Sequence, residues 1–262
     1  MKNLNNKWAI VTGASSGLGV DFATLLAQRG CNLIIVARSV DRLEALQRQL
    51  IKEYGVLVEV LALDLSDINA PAKLHQYIQA KKHAIDFLIN NAGFGKVGRF
   101  LDIASDDVAD MLNVNVRTLQ TLMTLFLPAM LTRNQGCILN IASLLSFQPA
   151  PYFAVYAATK AYVLSLSEAV NAELASTNVR IKVLCPGSTR TEFWAASGSR
   201  GNPLRDRALM SSQQVAQYGI ELMLSHRTVG IPGIANKLMA FTTRLLPRAW
   251  VTRITGFILR ES

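Results

Sequence analysis

The chain has 262 residues, half of them hydrophobic, and a formal charge of +9. That length and composition suffice for the core of one large α/β domain. Zinc or dithiol chemistry on Cys31, Cys137 and Cys185 is excluded by their wide separation in apolar runs, and His75, His83 and His226 show no metal-ligand pattern.

The basic residues are scattered and no run resembles a nucleic-acid arm, so the expectation is no nucleic acid. The polar opening, Met1 to Lys7, lacks the apolar run and cleavage site of a signal peptide, and a cytoplasmic protein is expected. The first strand, Trp8–Thr12, then runs into TGASSGLG, Thr12 to Gly19, which opens a helix (Gly17–Arg29) carrying Phe22, Leu25 and Leu26. Gly13, Gly17 and Gly19 let the backbone turn sharply and approach a diphosphate, whose charge the helix N-terminus holds. The spacing G-x-x-x-G-x-G differs from the G-x-G-x-x-G fingerprint, and a purely structural turn is the alternative on this stretch alone.

The second strand, Asn32–Ala37, ends Val36-Ala37-Arg38-Ser39. An acid there would bind the ribose hydroxyls of NAD, whereas an arginine neutralises the 2′-phosphate of NADP. The expectation is NADP(H) rather than NAD(H), with Arg38 and Ser39 at the phosphate. The bland alternative is a solvated arginine at a helix start.

Further on, helices at Asp41–Tyr54, Ala70–Lys82, Asp106–Arg133, Tyr152–Ser176 and Ser212–Ser225 alternate with apolar strands at Leu57–Leu63, Phe87–Asn90, Cys137–Ala142, Arg180–Leu184 and Thr228–Ile231. This alternation predicts an α/β fold, a doubly wound parallel sheet of about seven strands. Residues 1–233 form the main domain in this reading, with a loop at 192–210, and 234–262 a helical extension.

In such a sheet ligands bind outside the C-terminal strand ends. Ser143, Asn91 and Pro186-Gly187 each follow a strand on that edge. Tyr156 and Lys160, in YAATK, stand one helical turn apart on one face. A phenol ionises near ~10 in water, and a neighbouring ammonium lowers that value toward the range of a useful acid or base. A Tyr–Lys pair on a helix also arises by chance.

Together TGASSGLG, NNAG (90–93), Asn115 in NVNV (113–116), Ser143, YAATK and CPGSTRT (185–191) resemble, in order and spacing, the short-chain dehydrogenase/reductase family over residues 7–191. The resemblance implies a Rossmann-type fold and hydride transfer between a nicotinamide cofactor and a carbonyl or alcohol. It implies Tyr156 as general acid/base, and Lys160 lowering its pKa and binding the nicotinamide ribose. Ser143 would bond the substrate oxygen, and Asn115 would hold a relay water. Gly13, Ser15, Ser16, Leu18 and Gly19 would lie along the diphosphate, with Gly17 in the same turn. Asp64 would touch the adenine, Asn91 with Ala92 and Gly93 the adenosine side, and Pro186, Gly187, Thr189 and Thr191 the nicotinamide side. Asp64 is equally placed to cap the next helix, and Asn91 to tie strands together. The Tyr–Lys spacing separates the chain from enoyl reductases, and the glycine turn from sugar-nucleotide epimerases.

After Thr191, Phe193, Trp194, Leu204, Leu209 and Met210 make an apolar loop with Arg200, Arg205 and Arg207, and Leu144, Leu145, Phe147 and Phe153 stand across from it. The lining points to a lipophilic ketone or 3-oxoacyl compound, with ordinary packing as the alternative. The extension sets Leu238, Phe241, Leu245 and Leu246, then Trp250, Ile254, Phe257 and Ile258, among arginines. It would pack over the cleft or a partner subunit, or lie on a membrane surface as a basic amphipathic helix. The sequence therefore reads as an NADPH-dependent carbonyl reductase, a homodimer or homotetramer. The alternatives are an NAD-dependent alcohol dehydrogenase and a nucleotide-binding scaffold without turnover.

Overall fold

The computed structural model describes residues 4–198 and 209–260. Arg200, Leu204, Arg205 and Arg207 of the loop lie outside them. Strand side chains point alternately to opposite faces. Ala9 and Val11 of β1 (Trp8–Thr12) and Leu33 and Ile35 of β2 (Asn32–Ala37) enter one core layer, while Ile10, Ile34 and Val36 enter the other. With β3 (Val58–Ala62), β4 (Ile85–Asn90), β5 (Gly136–Ile141), β6 (Val179–Leu184) and β9 (Val229–Gly230) they form a seven-stranded sheet in the order β3-β2-β1-β4-β5-β6-β9. Every neighbouring pair is parallel.

Helices α1 (Gly17–Ala27), α2 (Val40–Tyr54) and α8 (Ser212–Met223) cover one face. On the other lie α3 (Ala70–Lys81), α5 (Leu119–Thr132) and α6 (Ala154–Glu173). The chain winds outward from β1 to β3, then returns to place β4 on the other side of β1. That reversal opens a crevice at the strands' C-terminal ends.

Three expectations change in detail. The continuous helix over 106–133 is instead α4 (Ser105–Leu112), a π turn (Asn113–Thr118) and α5. The wider turn carries the fully buried Asn115, whose side chain bonds the Phe94 backbone and Thr159, and such turns concentrate at functional sites. The helix drawn from Tyr152 begins at Ala154, because Tyr152 takes a left-handed φ of 64° that no helix continues. The loop after Thr191 holds a short helix α7 (Phe193–Ala196), and β7 (Thr189–Arg190) pairs with β8 (Met210–Ser211).

The extension forms α9 (Ile234–Thr242) and α10 (Arg248–Arg260), the latter opening just after Pro247, which suits a helix start. Val251, Thr255 and Leu259, spaced four apart, are the buried face of α10. Leu259 joins a small core with Met111, Phe153 and Tyr156, so the extension covers the cleft. No helix among the described residues is long and apolar enough to cross a membrane.

Candidate active site

The turn after β1 has the shape its glycines permit. Gly13 has φ +67°, and a Cβ there would stand 2.9 Å from Asn91 Nδ2 and from Ala92 Cα. Gly17 has φ +51° with Thr191 Cγ2 3.0 Å from where a Cβ would project. A Cβ on Gly19 would overlap the carbonyl oxygen of Gly13, so α1 starts against the turn itself. Thr12 locks this arrangement to β4: its Oγ1 donates to Ile89 O at 3.2 Å and accepts the N–H groups of Asn91 and Ala92, both at 3.0 Å. The Asn91 amide donates to Thr12 O at 2.9 Å and Gly13 O at 3.2 Å. Asn91 thus ties strands together as well as facing the crevice.

A cavity of about 930 Å³ runs along the strand ends, at the upper end of the sizes usual for small-molecule and cofactor sites. Its walls include Gly13, Ser15, Ser16, Gly17 and Leu18, then Arg38, Ser39 and Asp64, then Asn91, Ala92 and Gly93. Ser143, Tyr156, Lys160, Pro186, Gly187, Thr189 and Thr191 line its other half. Two of the sequence-derived residues stand behind the wall rather than in it, Gly19 under the turn and Asn115 beneath Gly93. A Cβ on Gly93 would meet Asn115 Oδ1 at 3.0 Å and Lys160 Nζ at 3.1 Å, so a bare backbone is required there.

At the β2 end, Arg38 is exposed and has no ion-pair partner among the described residues. Arg42 is held by Glu192 at 3.0 Å across the mouth. Asp64 Oδ1 accepts the N–H and hydroxyl of Ser66 at 3.0 and 2.9 Å, closing a turn rather than capping α3.

Tyr156 and Lys160 are both buried, 8% and 3% exposed, on the same face of α6. Phe153 stacks on the Tyr156 ring at 4.4 Å and Phe193 tilts against it at 5.3 Å. Burial in this aromatic box pushes the phenol above its usual range, and the Ser143 hydroxyl pulls the other way. The Lys160 ammonium donates to Ile141 O at 2.8 Å and lies 5.7 Å from the Tyr156 ring centre. Burial brings its pKa down to about 8. In the ligand-free cleft burial is therefore the larger influence on the Tyr156 phenol, with the Ser143 hydroxyl opposing it.

Ser143, two residues beyond β5, accepts the Leu145 N–H at 3.1 Å and donates its own N–H to Ser146 Oγ at 3.2 Å. Ser146 Oγ donates to Lys160 O at 2.9 Å. One serine thus fixes the Ser143 loop against the Tyr–Lys helix. Asn115 donates to Phe94 O at 2.9 Å and Thr159 Oγ1 at 3.1 Å and accepts the Phe94 N–H at 3.1 Å, bracing the same helix from the opposite side. Both of its side-chain N–H groups are thereby used within the protein.

Sequence reasoning missed the roles of Thr12 and Ser146, and which residues of the extension face the cleft. Ser143 and Ser146 have the spacing of a capping box, a signal that was available. Met239 of α9 and Thr255, Ile258 and Leu259 of α10 line the cavity with Phe94, Leu145, Gln148 and Trp194. Asn236 of α9 seats against Gly187, where a Cβ would lie 2.6 Å from its amide.

The family model for short chain dehydrogenases matches residues 7–201. The chain is 32% identical over 264 residues to a hydroxysteroid dehydrogenase-like protein 1 of Gallus gallus, covering 97% of this chain and 77% of that protein. A short-chain dehydrogenase from Sphingobium yanoikuyae in complex with NADPH superposes with a TM-score of 0.83 and 31% identity, over 91% of this chain and 93% of that one. One from Burkholderia phymatum in complex with NAD gives 0.81 and 26%, over 94% of each. With a doubly wound sheet, a glycine turn at the first strand end and a Ser–Tyr–Lys cluster opposite it, the chain belongs to the short-chain dehydrogenase family of oxidoreductases.

Proposed function

We propose that the protein is an NADPH-dependent reductase of bulky, lipophilic ketones. The observation that carries this is the Tyr156–Ser143 pair, buried at the apolar end of a cavity whose opposite end presents Arg38, which no described residue pairs. The dinucleotide fits what the residues offer: a turn that admits no Cβ at Gly13, the N-terminus of α1, and a guanidinium where a 2′-phosphate would lie. When bound, it supplies the hydride.

The remaining work falls to the chain. As the carbonyl carbon gains a hydride, its oxygen develops negative charge and needs donors. The Ser143 hydroxyl donates to that oxygen, and the Tyr156 hydroxyl gives it a proton. A phenol held protonated by burial is in the correct state to act as an acid throughout the neutral range. The phenolate left behind is stabilised by the Lys160 ammonium 5.7 Å from its ring centre. Asn115 positions Lys160 and Tyr156 through Thr159 and the Phe94 backbone.

The substrate class follows from the apolar wall of Phe94, Phe153, Phe193, Trp194 and Met239, and the name of the Gallus gallus relative points the same way. An NAD-dependent alcohol dehydrogenase is the second reading, favoured by the NAD-bound neighbour from Burkholderia phymatum. A homodimer or homotetramer would form through the long helices α5 and α6. The test is loss of reduced-nicotinamide absorbance, with NADPH and NADH compared, against a panel of steroid-like ketones, 3-oxoacyl thioesters and quinones. Tyr156→Phe should lower turnover by ~10²–10⁴-fold with NADPH still bound. Tight NADPH binding without turnover on any of them would overturn the proposal in favour of a scaffold.

A further inference from the structure

The two helices that close the cavity have an unusual outer face. Along α9 and just beyond it, Ile234, Leu238, Phe241 and Leu245 are 84%, 62%, 56% and 69% exposed, and their spacing of four, three and four residues makes one continuous stripe. On α10, Trp250, Ile254 and Phe257 repeat the pattern at 61%, 51% and 70% exposure, opposite the buried Val251, Thr255 and Leu259. Each stripe is flanked by exposed cations, Lys237 and Arg244 on the first, Arg248, Arg253 and Arg260 on the second. Residues 234–260 contain no acidic residue. Apolar patches of this extent on a folded surface mark interaction sites.

We infer that this face docks on an anionic lipid surface, with Trp250, Phe257, Phe241 and Leu238 entering the interface and the lysine and arginines meeting the headgroups. The charge decides the occupant. A second copy of this chain would set five cations against five, with no acid in either segment to answer them. A negatively charged bilayer answers all of them, and each gains energy near such a surface. The helices lie in the interface rather than across the membrane, since neither can span it. The same two helices present Met239, Thr255 and Leu259 to the cavity, so the wall next to Tyr156 is also the wall on the lipid. A ketone dissolved in the bilayer would reach the site by crossing that wall. The docking itself depends on neither cofactor nor turnover, so it stands or falls separately from the reductase reading.

The test is flotation of the full chain with vesicles of phosphatidylcholine alone and of an equimolar mixture with phosphatidylglycerol. The full chain should float with the mixed vesicles, much less with the neutral ones, and less as salt is raised. Trp250→Ala combined with Phe257→Ala should weaken partitioning about tenfold or more. Arg253→Gln should weaken it about fivefold on the anionic vesicles alone. NADPH binding and thermal melting check that the variants fold. Should either variant misfold, hydrogen exchange on the wild-type chain serves instead, with vesicle-induced protection expected over 234–260. The inference is overturned by absence of flotation at low salt. It is also overturned by flotation indifferent to these substitutions, or by light scattering in which Trp250→Ala with Phe257→Ala splits an oligomer, which would make the face a contact between copies.

Discussion

Lys160 and Tyr156 share one face of α6, yet the Lys160 ammonium donates to the backbone of Ile141 at 2.8 Å and stays 5.7 Å from the centre of the tyrosine ring. The contact that draws the phenol's pKa downward is the Ser143 hydroxyl. Ser143→Ala should therefore move the rise of the alcohol oxidation rate with pH to higher pH, besides slowing the reaction. The pH profile of the oxidation rate checks this, and a rise that stays in place would refute the role of that hydrogen bond.

Burying Lys160 has a cost in the ligand-free protein. Its pKa falls from 10.5 to about 8 on folding, so between those values the unfolded chain holds more protons and stability rises with pH. That stability is complete above 10.5 and is lost as pH falls through about 8. Lys160→Met should accordingly stabilise the ligand-free chain near neutral pH, by up to about 3 kcal/mol before the lost hydrogen bond to Ile141 is subtracted. The gain should shrink as pH rises through the same window. Denaturant melts at several pH values measure it, and a variant uniformly less stable than wild type would contradict the sign.

Arg38→Ala should weaken NADPH binding by ~10–100-fold, the worth of a charge-assisted hydrogen bond to phosphate, and leave NADH nearly unchanged. Calorimetric titration with both cofactors separates the cases. Equal losses for the two would show that Arg38 does not meet the 2′-phosphate.

A Cβ at Gly95 would lie 2.6 Å from the Phe153 ring and 2.9 Å from Tyr156 Cδ2. Gly95→Ala should push the stacked rings aside, costing ~1–3 kcal/mol of stability from overpacking and lowering turnover at least tenfold by displacing the phenol. Steady-state rates at saturating NADPH, with a thermal melt alongside, provide the readout. Full activity would mean that the phenol tolerates that shift.

The sheet was readable because β-branched runs alternate with amphipathic stretches, and the boundaries of all seven strands fall within two residues of those drawn. Ser143, Tyr156 and Lys160 were readable because strand end and helical spacing bring them to one edge. The π turn at Asn113–Thr118 was not, since it depends on the fit of Asn115 between Phe94 and Thr159, elements remote in sequence. The buried chain Asn90–Asn140–Ser167, at 2.9 Å for each link, was equally hidden, because polar residues inside apolar runs reveal their partners only once the strands are paired. That burial raises the phenol's pKa also depends on Phe153 and Phe193 closing over Tyr156, a matter of packing rather than of spacing.

Placing Met239, Thr255 and Leu259 in the substrate wall separates the two halves of the site in time. Gly13, Ser143, Tyr156 and Lys160 all precede β7, while the wall follows about 55 to 75 residues after β6. At the roughly 5–20 residues per second of translation, the interval between β6 and Leu259 is about 4–15 s. During those seconds the residues of the glycine turn and of the Ser–Tyr–Lys cluster already exist while the opposite end of the cleft still lacks its wall. The two ends of the cleft are thus completed at different times, the far wall only when α10 arrives.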